Sequence, residues 1–259
     1  RVRPLFGRPS KGFKVKLSKS VRTFGSLKCS VIQSDMLDEA NGGLVILNHG
    51  FGASGDDLVD IGAMLMDDSE TIASKFRFVF PEAPIDLAPM GMPGGRAWWP
   101  INMAKLAEIN QSRNYSELTQ ICPPGMPEAT LLLSAAVQEM QSTFEVDESR
   151  IVLGGFSQGA MICTHLALST GFKPALLALL SGTLLCRDEW NRLANAHPHC
   201  YVLQSHGIED PVLPFAAAKD LAEMLTDAGF TLEFTEFHGG HTIPMNVLQR
   251  FSELLELVQ

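Results

Sequence analysis

The sequence predicts an α/β chain with an open, mostly parallel, doubly wound sheet, helices on both faces and a β-hairpin at the N-terminus. Three observations lead to this. Short apolar runs bounded by Gly or Pro recur along the chain, as expected of strands buried on both faces. Between them apolar residues fall three and four apart, the period of an amphipathic helix. The length of 259 residues, 46% of them hydrophobic and 19% charged, suits one core, with no internal repeat or Gly/Ser linker to divide it.

The elements follow in order. Phe13, Val15 and Leu17 alternate with Lys14 and Lys16, and Leu27, Cys29 and Val31 alternate with Lys28 and Ser30. Period two predicts two strands with Thr23-Phe24-Gly25-Ser26 as their turn, giving a hairpin over residues 1–34 with a basic, solvated face. Leu44 to Leu47, Phe76 to Phe80, Arg150 to Leu153, Ala175 to Leu180 and Tyr201 to Leu203 predict buried strands, and the more polar Leu232 to Phe237 predicts an edge strand. Ala129, Leu133, Ala136, Val137, Met140 and Phe144 share one helical face. So do Leu221, Ala222, Leu225 and Ala228, and then Val247, Phe251, Leu255 and Val258. Pro81 to Pro127 interrupts the rhythm with eight of the fifteen prolines and with Trp98 and Trp99, and is expected to form an irregular, lid-like cover.

Composition excludes several classes. The apolar content excludes disorder. The longest wholly apolar runs, such as Ala175 to Leu180, fall far short of the ~18 residues of a membrane span, so no stable membrane insertion is expected. A net charge of -9 repels phosphate backbones, and no nucleic-acid partner is expected. Nine of the 20 basic residues lie in the first 34 positions, which can mark a targeting or binding arm, but the strand alternation favours the hairpin. No signal peptide is visible in the chain, which begins at Arg1. Five cysteines without a C-x-x-C indicate neither a disulfide framework nor a zinc ribbon, and a cytoplasmic setting is expected.

Chemistry enters at Gly155-Phe156-Ser157-Gln158-Gly159, a G-x-S-x-G pattern directly after a predicted strand and before a predicted helix from Ala160 to Thr170. That context sets a serine hydroxyl on a sharp turn at the C-terminal edge of a sheet. A serine needs a base to take its proton, and the base needs a carboxylate to fix its tautomer. Two loops after strands offer them. Ser205-His206-Gly207-Ile208-Glu209-Asp210-Pro211 holds Glu209 and Asp210, and the shorter Asp210, fixed before a proline, is favoured. His238-Gly239-Gly240-His241-Thr242-Ile243-Pro244 holds His238 and His241, and His241 is favoured for its place deeper in the loop, with His238 still open. The oxyanion amides expected are those of Gln158, after the nucleophile, and Phe51, in His49-Gly50-Phe51-Gly52.

His49-Gly50-Phe51-Gly52-Ala53-Ser54-Gly55-Asp56-Asp57-Leu58 resembles the first signature of the phospholipase/carboxylesterase family of α/β-hydrolases in its bacterial form, a family that includes acyl-protein thioesterases. Further blocks resemble it in order: Phe80-Pro81-Glu82-Ala83-Pro84, Gly94-Gly95-Arg96-Ala97-Trp98-Trp99-Pro100, the serine elbow, the acid loop and Gly240-His241-Thr242-Ile243-Pro244. The resemblance runs from about Leu44 to the C-terminus and implies the α/β-hydrolase fold. It implies Ser157 as nucleophile, Asp210 as acid, His241 rather than His238 as base, and Phe51 and Gln158 as oxyanion amides. The implied activity is hydrolysis of carboxylic esters through an acyl-enzyme, with a small-molecule ester as substrate and no cofactor. If the Pro81 to Pro127 segment folds over Ser157 it leaves a short pocket, so short-to-medium acyl esters are expected. Acyl-protein thioesterase or lysophospholipase activity is the alternative, and a non-catalytic hydrolase-fold binding protein is more remote. Ile101 to Pro127 is longer than the family leads one to expect.

Smaller features have plainer readings. His197-Pro198-His199 reads as a surface turn, because no carboxylate or cysteine cluster completes a metal site, and no metal is expected. Cys163 reads as a small buried hydrophobe. Trp98 and Trp99 are either core aromatics or walls of a substrate pocket, and Arg96 either bonds nearby loop carbonyls, the favoured reading, or meets a polar leaving group.

Overall fold

A computed structural model describes residues 15–112, 114–196 and 200–258. Phe13 and Lys14 of the expected first strand, and the His197-Pro198-His199 turn, lie outside the described residues. The first strand of the hairpin forms further along than the spacing predicts, while the second begins at Leu27 as expected. Strand β1 (Leu17–Phe24) pairs antiparallel with β2 (Leu27–Ser34), and only Gly25 and Ser26 connect them. Thr23 and Phe24, expected in the turn, are in the strand. Phe24 and Leu27 face each other across the pair and are both buried, which extends the strand to the core. Gly25, at φ 55°, takes the first position of a two-residue turn, where the right-handed twist of a hairpin calls for a left-handed residue.

The chain continues through β3 (Gly43–Asn48), α1 (Val59–Asp68), α2 (Glu70–Lys75), β4 (Phe76–Pro81), β5 (Ile85–Asp86), β6 (Arg96–Ala97), α3 (Met103–Ser112), α4 (Ser116–Gln120) and α5 (Met126–Phe144). Then come β7 (Ile151–Phe156), α6 (Gln158–Thr170), β8 (Leu176–Leu180), α7 (Arg187–Ala194), β9 (Tyr201–Gly207), α8 (Phe215–Asp227), β10 (Thr231–Phe237) and α9 (Met245–Leu257). The main sheet has the order β1-β2-β4-β3-β7-β8-β9-β10, with the predicted polar strand β10 at its edge. From β4 across to β10 neighbouring strands are parallel, and the hairpin joins antiparallel through β2 and β4.

Alternation along the central strands divides the core into two layers. Leu44, Ile46, Ile151, Leu153, Leu177 and Leu179 face the layer containing Leu133 of α5, Leu166 of α6 and Trp190 of α7. Val45, Leu47, Val152, Leu176 and Ala178 face the layer of Leu65, Ile72, Phe251 and Leu254, from α1, α2 and α9. Because these strands are parallel, the loops after β3, β7, β9 and β10 all emerge at one edge, where open α/β sheets place their sites.

Between β4 and α5 the cover is partly regular: β5 and β6 form a short antiparallel ribbon, and α3 and α4 follow. The cysteine reading also needs correction. Cys122, just after α4, and Cys186, just before α7, form a disulfide across a sequence separation of 64, with Cα atoms 4.5 Å apart. No spacing rule reveals it, because the two residues meet only when the cover folds against α7. Among the described residues, no helix is long and apolar enough to cross a membrane.

Candidate active site

Ser157 sits between β7 and α6 at φ 56° and ψ −117°, a conformation L-residues rarely adopt. Helix α6 begins at Gln158, two residues earlier than the pattern predicted, so Ser157 is itself the N-cap. The flanking glycines are required by close approach. A Cβ on Gly155 would lie 2.6 Å from the Asn48 carbonyl oxygen, and one on Gly159 would collide with the same oxygen. The turn therefore closes tightly against the end of β3. Gln158 is the first residue of α6, where backbone N–H groups have no partner within the helix, and the α6 N-terminus adds the positive end of its dipole beside Ser157.

The acid and histidine loops are held together by backbone bonds from Ile208 N–H to the Phe237 carbonyl (2.9 Å) and from Glu209 N–H to the Gly239 carbonyl (3.1 Å). Asp210 is fully enclosed. Its Oδ1 accepts from the amides of Val212 (2.8 Å) and Leu213 (2.9 Å), and its Oδ2 lies 2.7 Å from His241 Nδ1. Burial pushes the Asp210 carboxyl up, but hydrogen bonds from His206, from His241 and from the Leu213 amide together hold it well below the usual carboxylate range. With Nδ1 facing a carboxylate, His241 carries its proton there and keeps the lone pair on Nε2. The imidazole lies against Phe156, the residue before Ser157, at a ring distance of 4.7 Å. His238, the competing histidine, is exposed and pairs with Glu209 instead.

The loop after β3 reaches the elbow from the other side. A side chain on Gly50 would begin 3.3 Å from Ser157 Cβ, so Phe51 follows a residue in direct contact with the serine. His49 secures this loop. Its Nε2 accepts from the Ala83 amide (3.1 Å), which leaves Nδ1–H to donate to the Gly50 carbonyl (2.8 Å). Burial lowers the affinity of His49 for a proton, as this neutral tautomer requires. Arg96 donates to the carbonyls of Ala83 and Pro84, the loop role expected of it.

The two tryptophans separate. Trp98 is buried, with Nε1 donating to the His49 carbonyl (3.1 Å), and belongs to the scaffold beneath the loop. Trp99 lines an apolar groove of about 320 Å³ between the cover and the body, together with Leu106, Leu118, Met161, Leu185 and Leu213. Two of its lining residues are bonded to the site through the backbone, Met161 donating its N–H to the Ser157 carbonyl and Leu213 donating to Asp210 Oδ1, so the groove lies beside the site.

Two contributions escaped sequence reasoning. The Gln158 side chain, expected only to supply a backbone amide, accepts from Trp98 N–H (2.9 Å) and donates to the Trp99 carbonyl (2.9 Å), joining elbow to cover. His206 is fully buried, with Nε2 lying 3.1 Å from the Leu213 carbonyl and 3.3 Å from Asp210 Oδ2. Both partners are acceptors, so Nε2 bears the proton. A histidine three residues after the apolar run Tyr201 to Leu203 is the available sequence signal. Cys163 is buried as expected, with Asn48 Nδ2 3.1 Å from its sulfur.

Fold and site together define a serine hydrolase. A model of the Phospholipase/Carboxylesterase family matches residues 27–259, and the chain belongs to that family of α/β-hydrolases. The match starts at β2, earlier than the resemblance from Leu44 implied. Acyl-protein thioesterase 1 of Candida albicans is 28% identical over 203 residues, covering 75% of this chain and 82% of that protein. The crystal structure of esterase PE8 is similar at a TM-score of 0.70 and 24% identity, over 95% of this chain and 100% of that one. TT1662 from Thermus thermophilus is similar at a TM-score of 0.67 and 17% identity, over 93% and 98%. At such identities these structures speak to the fold alone.

Proposed function

We propose that the enzyme hydrolyses carboxylic esters of short-to-medium acyl chains through an acyl-enzyme on Ser157. The observation that carries this reading is the enclosed Asp210–His241 pair at 2.7 Å, packed on the residue before a serine at positive φ. His241 takes the Ser157 proton as the hydroxyl attacks the acyl carbonyl, gives it to the departing alcohol, and then activates water for deacylation. Asp210 holds the tautomer and balances the imidazolium. The amides of Phe51 and Gln158 receive the developing oxyanion, each contributing about 3 kcal/mol to the transition state.

The groove beside Trp99 takes the acyl chain, with the cover as its outer wall, while Trp98 acts through the scaffold. Its volume of about 320 Å³ lies at the small end of ligand sites, in keeping with short-to-medium chains. A second reading, thioester hydrolysis, is favoured by the name of the Candida relative. In the cytoplasmic setting expected from the cysteine count, the Cys122–Cys186 bond would meet reducing thiols.

A fluorophosphonate probe should label the wild type and miss Ser157→Ala, whose kcat should fall by about 10⁴- to 10⁶-fold. Unchanged labelling of the variant would remove Ser157 from the mechanism. Across p-nitrophenyl esters, kcat/KM should rise by roughly fourfold per methylene, peak at short-to-medium length and fall beyond it. Shortening residues 101–127 should move the peak to longer chains. A rate climbing steadily through palmitate would instead favour the thioesterase or lysophospholipase reading.

A further inference from the structure

We infer that the Cys122–Cys186 disulfide fixes the outer end of the acyl groove and thereby sets the longest acyl chain accepted, an inference that rests on the groove being the acyl site. The groove is walled by two segments far apart in sequence. Ile121, Pro123 and Pro124 belong to the cover and flank Cys122, while Leu185 belongs to the body and precedes Cys186. The disulfide therefore joins one wall directly to the other. It lies behind the lining, since the neighbours of the two cysteines face the groove.

The rest of the cover is held at other points. Its entrance is fixed by Gln158 between Trp98 and Trp99, and its exit by the buried Met126. Asn110 of α3 donates to the carbonyls of Pro211 (3.1 Å) and Val212 (2.7 Å), anchoring the end nearest the acid loop. Lys105 pairs with Glu108 and Glu117, contacts internal to the cover that move with it. Between Asn110 and Met126, α4 is held to the body by the packing of Leu118, by the buried Thr119 and by the covalent attachment to α7, which is the one link a reductant can open. Opening it frees α4 to move outward while the anchors beside Asp210 and Ser157 persist.

The disulfide can be addressed selectively. Cys29, Cys163 and Cys200 are unpaired and buried, and burial pushes the Cys29 and Cys200 thiols up to about 12, so they react poorly as thiolates. Reduction balances simply. One thiolate of dithiothreitol attacks a sulfur of the Cys122–Cys186 bond, and the other cysteine leaves as a thiolate and takes a proton. The second reductant thiol then closes dithiothreitol's own disulfide, releasing the first cysteine, which is also protonated. The pair gains two electrons and two protons, and the dithiol loses them. Once reduced, Cys122 has a ready acceptor in Glu189 Oε2, 3.0 Å from its sulfur.

The test begins with thiol counting. Alkylation of the denatured protein, purified without reductant, should modify three cysteines, and prior reduction should raise this to all five. The ratio of kcat/KM on p-nitrophenyl dodecanoate to that on the butyrate is then measured in both states, with fluorophosphonate labelling to count competent sites. Reduction should raise the ratio by roughly fourfold for each methylene newly accommodated. The double variant Cys122→Ser/Cys186→Ser should give the reduced ratio without reductant. Ile121→Trp, at an exposed groove position, should lower the ratio by obstructing the groove. Five alkylated cysteines without reduction, or an equal ratio in both states while Ile121→Trp still lowers it, would overturn the role of the disulfide. A ratio unmoved by Ile121→Trp would overturn the groove reading beneath it.

Discussion

Two histidine–carboxylate pairs bridge the same two loops, and only one is enclosed. His241 lies 2.7 Å from Asp210 and His238 lies 3.1 Å from Glu209, with the acids adjacent in sequence. The environments differ. The Asp210 side chain is 0% exposed and that of His241 16%, against 57% for Glu209 and 88% for His238. Asp210 has four donors in fixed positions, from the amides of Val212 and Leu213, His206 and His241. The Glu209–His238 pair is surrounded by water, where an ion pair is screened and contributes little. An imidazole becomes a directed base when its carboxylate is fixed and enclosed, and distance alone does not achieve this.

The sharpest way to break the comparison is to remove each histidine. His241→Ala should lower kcat by about 10⁴- to 10⁶-fold, and His238→Ala should stay within roughly threefold, as for a surface substitution. Steady-state kinetics on folded variants checks this, and equal losses would leave the base unassigned. Next in size is His206, a positioning residue for Asp210. His206→Leu leaves a buried carboxylate oxygen short of one donor and should lower kcat by about 10- to 100-fold with KM little changed. His206→Gln, which can donate from a similar point, should recover most of the loss, and a KM-dominated defect would speak against positioning.

The smallest effect is on stability against pH. Burial holds His49 and His165 below their ordinary value of 6.5. As the pH falls below 6.5 the unfolded chain binds protons first, so stability declines. The depressed carboxyl of Asp210 stabilises the fold above its ordinary value of 3.8, and this contribution is lost as the pH falls from there toward the lower folded value. Urea unfolding across a pH series should show both declines. Asp210→Asn should reduce the lower one, and Glu209→Gln, at an exposed carboxyl that is also held low, should reduce it less.

Much of this was readable from residues alone, for identifiable reasons. Leu44 to Leu47 and Ala175 to Leu180 announce strands because both their faces are buried, and the serine elbow is a local motif whose glycines are dictated by adjacent backbone. Chain order and loop position narrowed the acid and base to Asp210 or Glu209 and His241 or His238, and the family resemblance, rather than the residues alone, chose His241. The Gln158 side chain, the His206 donor and the Cys122–Cys186 bond were not, since each depends on segments distant in sequence meeting in space. The hairpin turn was drawn two residues too wide, since only the pairing of Phe24 with Leu27 across the strands shows that Thr23 and Phe24 belong to the strand.

The backbone of Ser157 has a consequence for how this enzyme would respond to selection. Its φ of 56° costs on the order of 1–3 kcal/mol for a residue with a Cβ. Glycine adopts such angles freely, and the larger entropy it loses on folding, about 0.5–1 kcal/mol, offsets only part of that relief. Ser157→Gly should therefore melt at the wild-type temperature or a few degrees above it while hydrolysing nothing, as calorimetry beside an ester assay would show. A library sorted for heat resistance alone would retain this dead variant, and the same backbone angle that presents the hydroxyl makes its loss invisible to any screen for folding.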